Sequence, residues 1–192
     1  MTRHAHATQW NHKQEIMTMM AAANDSEDVM RTMLDSASFR FSMRHPANSV
    51  TVIASGVNDE RAGLTATAVC SLSDDPPSLL VCVNQKSSAL NTIREAGMFS
   101  VNFLHADQTE IAGVFAGRSD LRGAERFDDE AWTTLATGAP VLKRALASFD
   151  CYLDQQIDYA THTILIGHVA STAHSGDKDA LIYAHGEFAR AG

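Results

Sequence analysis

Gly63-Leu64-Thr65-Ala66-Thr67-Ala68-Val69-Cys70-Ser71-Leu72-Ser73 alternates two kinds of side chain with period two. Leu64, Ala66, Ala68, Cys70 and Leu72 fall on one face, and Thr65, Thr67, Val69, Ser71 and Ser73 on the other, the pattern of a strand with one side toward a core. Upstream, Ser49 to Ser55 alternates in the same way, and the polar Asn58-Asp59-Glu60 between the two runs predicts a hairpin. Downstream, Asp74-Asp75-Pro76-Pro77 interrupts the ladder because proline has no N–H to donate. Leu79-Leu80-Val81-Cys82-Val83 then reads as a continuous apolar strand, expected to be buried on both faces.

Working outward, Ser87 or Ser88 can cap a helix that carries Leu90 and Ile93 and ends at Gly97. Met98 to Leu104 alternates as a strand. Asp107-Gln108-Thr109-Glu110 reads as an acidic variant of the capping box, opening a helix through Ile111, Ala112, Val114 and Phe115 that stops at Gly117. Arg118 to Pro140 predicts a long surface excursion anchored by Phe127, Trp132 and Leu135. Three strand-like runs close the chain, Ser148 to Asp158, His162 to Thr172 and Ala180 to Phe188. Near the N-terminus, Val29, Met30, Met33, Leu34 and Ala37 predict a first helix over about Glu27 to Ser38, and residues 1–25 read as a mobile tail. The tail's His4-Ala5-His6 lacks the partners that fix a metal site, so no metal is expected. About seven strands and three helices in one domain over residues 26–192 suit a closed or nearly closed β-barrel decorated with short helices.

The 192 residues carry 15 basic and 23 acidic side chains, a net charge of −8 that offers no general grip on nucleic acid or anionic membrane. No apolar run approaches the roughly 18 residues of a spanning helix, and a cytoplasmic location is the expectation. Cys70, Cys82 and Cys151 are odd in number and widely spaced, which predicts reduced, mostly buried thiols.

Gly-x-Gly-x-x-Gly after a strand, the Walker A loop, His-Glu-x-x-His and Gly-x-Ser-x-Gly are all absent, so the Rossmann, P-loop, zincin and α/β-hydrolase readings lose support. The hydroxyls and small residues of Gly63 to Ser73 suit either a flat ligand lying close to the backbone or a half-solvated strand. Asn84-Gln85-Lys86-Ser87-Ser88 leaves a strand and enters a helix, gathering N–H groups, hydroxyls and a lysine where the helix dipole favours an anion such as phosphate; an ordinary capped turn has the same composition.

In this order, Met43-Arg44-His45-Pro46 leading to Val50-Thr51-Val52, then Gly63 to Ser73, Pro76-Pro77, Asn84 to Ser88, Phe115-Ala116-Gly117, His162 to Val169 and Leu181 to Phe188 resemble the flavin reductase-like family over roughly residues 36–188. The resemblance implies a mainly β fold, a Greek-key-like split β-barrel with a few short helices that binds FMN or FAD as a homodimer and takes NADH or NADPH as cosubstrate. It places Gly63, Leu64, Thr65, Ala66, Thr67, Ala68, Cys82, Val83, Asn84, Ser87, Ser88, Ala89, Val114 and Phe115 around the flavin and His162 near the nicotinamide. The implied activity is NAD(P)H-dependent flavin reduction, with reduced flavin passed to a separate oxygenase. A flavoenzyme with tightly bound FMN reducing another acceptor, and a non-catalytic flavin-binding dimer, are the alternatives. The chain departs from the family at Thr161 and His168, where acidic residues are frequent, and at Ala180, where proline is usual.

Overall fold

The computed structural model describes residues 34–192. Backbone contacts divide the chain between Met43 and Arg44. In the first unit, α1 (Ser36–Ser42) is capped by Asp35, whose Oδ1 accepts from the N–H groups of Ala37 at 2.8 Å and Ser38 at 3.0 Å. The Ser38 hydroxyl bond, ahead of these amide bonds, holds the Asp35 carboxyl below its usual range. This helix passes the expected end at Ser38 and runs to Ser42. The tail, its histidines and the first part of the expected helix lie outside the described residues.

The second unit is mainly β. Its strands are β1 (Asn48–Ser49), β2 (Thr51–Ser55), β3 (Ala62–Ala66), β4 (Val69–Asp74), β5 (Pro77–Asn84), β6 (Met98–Phe103), β7 (Trp132–Thr134), β8 (Pro140–Leu142), β9 (Ala147–Tyr159), β10 (His162–His174), β11 (Ala180–Ala184) and β12 (Glu187–Ala191). The helices α2 (Ser88–Ala96) and α3 (Thr109–Phe115) interrupt them. Seven strands form one antiparallel sheet in the order β3-β2-β6-β9-β10-β5-β4. The edge strands β3 and β4 are consecutive in the chain and are joined only by Thr67 and Ala68. In a flat sheet those edges would stand about 29 Å apart, whereas this link reaches about 11 Å, so the sheet must curl until its edges come within that reach. The result is a split barrel whose seam is Thr67-Ala68.

This curl corrects the reading of Gly63 to Ser73 as one strand. The run breaks at the seam, and its two halves pair with different neighbours: β3 with β2 (Thr51↔Ala66 to Ser55↔Ala62) and β4 with β5 (Val69↔Val81). The expected β2–β3 hairpin is present. Ala180 to Phe188 also breaks, at His185-Gly186, where both residues have positive φ as a two-residue hairpin turn requires. The Arg118 to Pro140 excursion is more ordered than expected, because β7 pairs with β8 and Phe127 and Trp132 are buried.

Two apolar clusters lie on opposite sides of the sheet. Ile53, Val81, Val83, Phe99, Val101 and Leu165 fill the barrel interior, and Leu90 and Ile93 of α2 pack into them. Val50, Val52, Ala54, Phe115, Phe127, Trp132 and Leu181 fill the other, under α3 and the β7–β8 hairpin. β2 lies between them and is buried at every residue. β5 was expected in that role, but Leu80 and Cys82 on its outer side are only half-buried. Of the cysteines, Cys70 is exposed, Cys82 half-buried and Cys151 buried, so only one fits the expected burial. Desolvation, then the neighbouring Asp150, pushes the Cys151 thiol up to about 12.

Candidate functional site

The seam, the end of β5, the start of α2 and the start of β10 converge. The Cys82 N–H donates to Ala68 O at 3.0 Å, which carries the β4–β5 ladder up to the seam. Thr51 Oγ1 donates to Ala66 O at 2.7 Å and pins the other side. Asn84, the last residue of β5, is the ladder partner of His162, the first of β10. Thr67, Ala68, Asn84, Ser88 and His162 are exposed along this rim, while Leu64, Ala66, Cys82 and Ser87 are half-buried. Burial raises the Cys82 thiol, with a smaller contribution from Cys70.

Val83 points into the barrel and Ala89 into the core, so each can offer a ligand only its backbone. Gly63, Thr65, Val114 and Phe115 form a second group along β3 and α3. Thr65 Oγ1 donates to Ala112 O at 2.7 Å, fastening α3 across β3. A Cβ at Gly63 would stand 2.8 Å from Ile53 O and 2.8 Å from Phe115 Cε1, so glycine is what lets the Phe115 ring lie on the strand. Phe115 stacks edge-on against Phe127 and Trp132, with centroids 5.0 and 5.5 Å away, which links this wall to the β7–β8 excursion.

At the start of α2, Ser87 occupies the cap position but makes no side-chain cap hydrogen bond. Asn84 Oδ1 instead accepts from the Lys86 N–H at 2.9 Å, shaping the turn. The first-turn amides of α2 therefore have no side-chain cap, beside a lysine and two serine hydroxyls. Such a donor set fits a phosphate. At the other end Gly97 takes the left-handed conformation expected of it. α3 differs from expectation: Gln108 holds the cap position, and its side chain accepts from the His105 N–H at 2.9 Å instead of forming a capping box.

Sequence reading missed two contributors. Gln85 donates its N–H to Thr161 O at 3.0 Å and its Nε2 to His162 O at 3.3 Å, while Thr161 Oγ1 lies 2.8 Å from His162 Nδ1. Both residues stand in turns, where neither periodicity nor capping singles them out. The described residues hold no group of three or more His, Cys, Asp or Glu able to bind a metal. Nor is any described helix long and apolar enough to cross a membrane. Two surface cavities lie away from the rim. One, of ≈ 540 Å³, includes Arg61, Asp129 and Trp132; the other, of ≈ 410 Å³, includes His105, Gln108 and Lys143. Neither contains a residue of the rim.

Residues 43–192 match the flavin reductase like domain. The chain is 40% identical over 159 residues to the FMN reductase (NADH) RutF 1 of Methylorubrum extorquens strain PA1, covering 83% of this chain and 78% of that one. It is 41% identical over 155 residues to the FMN reductase (NADH) RutF of Klebsiella pneumoniae strain 342, covering 80% and 93%. Among solved structures it superposes on BorF, the flavin reductase component of a bacterial two-component tryptophan halogenase, with a TM-score of 0.76 and 36% identity, covering 81% and 98%. The match spans the second unit from its first strand to its last, and by it this chain belongs to the flavin reductase-like family of oxidoreductases.

Proposed function

We propose that this chain is an NADH-dependent FMN reductase that supplies reduced flavin to a separate oxygenase component. The observation that carries the reading is the convergence of the uncapped start of α2, the Thr67-Ala68 seam and His162 on one exposed rim. Bound flavin supplies an electron-accepting ring, so that NADH, a proton and oxidised flavin give NAD⁺ and reduced flavin without a protein nucleophile. The protein's part is to bind and orient. Lys86 and the amides of Ser88 and Ala89 hold a phosphate, the small residues from Thr65 to Ala68 admit a flat ring close to the backbone, and His162 positions the nicotinamide. The names of the RutF relatives favour FMN and NADH over FAD and NADPH. BorF, as one component of a two-component system, supports a separate partner enzyme.

Mixing the protein with NADH and excess FMN or FAD should give rapid loss of NADH absorbance, faster with FMN. Flavin binding without NADH oxidation would instead favour the non-catalytic binding dimer.

A homodimer is part of the same reading. By ladder register, Cys70, Leu80, Cys82, Ile164, Ile166 and Ile157 share the outer face of β4, β5, β10 and β9, an apolar strip that a second copy would cover. Sedimentation at micromolar concentration should return twice the chain mass. A monomer would count against the covered strip.

A further inference from the structure

We propose that Thr161 is the positioning residue for His162: its hydroxyl donates to Nδ1 and keeps the neutral imidazole protonated on Nε2, free for a bound partner. The inference rests on the reading of His162 as the group beside the nicotinamide.

His162 begins β10, directly after the turn Ala160-Thr161, in which Ala160 has φ +49°. Gln85 holds the backbone of this turn through the carbonyls of both Thr161 and His162. With the backbone held, the remaining freedom of the histidine is rotation of its side chain. The Thr161 hydroxyl, 2.8 Å from Nδ1, restrains it.

The same contact decides the tautomer. The Nε2 of His162 has no partner among the described residues. The nearby charged pair is turned elsewhere: Asp158 accepts from Thr163 Oγ1 at 2.6 Å and from Arg94 Nη2 at 3.0 Å. A hydroxyl, unlike an ionised carboxylate, can donate to Nδ1. The Thr161 hydroxyl makes no other side-chain hydrogen bond among the described residues, so its proton is available to Nδ1. The ring then presents an oriented Nε2–H donor, suited to a carboxamide or phosphate oxygen. Gln85 belongs to the same turn that leads into α2, so the phosphate end of the rim and the imidazole share one support.

The test uses the full chain and three variants. Thr161→Val removes the hydroxyl and keeps the β-branched shape, Thr161→Ser restores a hydroxyl, and His162→Ala assigns the imidazole signals. Nitrogen-15 spectra of the flavin-free protein should show the Nε2–H tautomer in the parent and in Thr161→Ser, and a mixture of tautomers in Thr161→Val. With FMN present, Thr161→Val should raise the KM for NADH about three- to tenfold. Its kcat and flavin affinity should change less than about twofold, and serine should restore KM. Unchanged His162 signals in Thr161→Val, or no rescue by serine, would overturn the proposal. Unchanged NADH kinetics in His162→Ala would overturn the underlying reading of His162, and that failure appears in a different measurement.

Discussion

Ser88→Asp is expected to weaken FMN binding about 5- to 150-fold, a penalty of about 1–3 kcal/mol, while leaving the free protein at least as stable. The two effects have opposite sign and one cause. Ser88 is the first residue of α2, where a carboxylate faces the positive end of the helix dipole and stabilises the helix when nothing else is bound. A phosphate seated on the same amides meets that carboxylate as a like charge. Ser88 is exposed, so the repulsion is screened by salt and the affinity defect should shrink as ionic strength rises. Fluorescence titration at low and high salt, with a melting curve of the free protein, reads all three. Unchanged affinity at low salt would remove the start of α2 as the phosphate site. A fall in melting temperature would show that the Ser88 hydroxyl has a structural part that the first turn does not reveal.

How much of this site was legible in the chain depends on what each residue answers to. Asn84, Ser88 and Gly97 sit where local rules place them, because a strand end, a helix start and a left-handed stop are decided within a few residues. The seam was not legible. Thr67 and Ala68 continue the period-two pattern without interruption, and only the curl of a seven-stranded sheet has the chain leave one edge there and join the other. The His185-Gly186 turn did leave a signal: Phe188 stands five residues after Tyr183, out of phase for one continuous strand, and only the hairpin returns the two to the same face as ladder partners. Gln85 and Thr161 could not be read locally, since the bonds that give them a role join turns 76 residues apart in the chain. The anchors of the excursion behaved as aromatic residues in polar sequence should, because Phe127 and Trp132 could be buried only against another apolar surface, and Phe115 supplies it.

The largest loss of stability should come from a residue that the alternation of β6 conceals. Asn102 is fully buried between Val101 and Phe103, and its amide is completely satisfied. Nδ2 donates to Val52 O at 3.1 Å and Ser100 Oγ at 2.8 Å; Oδ1 accepts from the Leu142 N–H and from Ser148 Oγ, each at 2.9 Å. Four elements, β2, β6, β8 and β9, are thereby tied to one side chain. Asn102→Leu keeps the volume but leaves the Leu142 N–H and the Ser148 hydroxyl without an acceptor away from water, at about 1–3 kcal/mol each, and removes a donor from Val52 O. The expected cost is about 3–5 kcal/mol in denaturant unfolding, with the slope unchanged. Leu142 belongs to β8, which holds β7 and Trp132 against Phe115, so the variant that folds should also bind FMN more weakly as that wall loosens. A loss below about 1 kcal/mol would mean that the surrounding groups find other partners, and Asn102 would then be a replaceable polar residue instead of the joint between the barrel and its excursion.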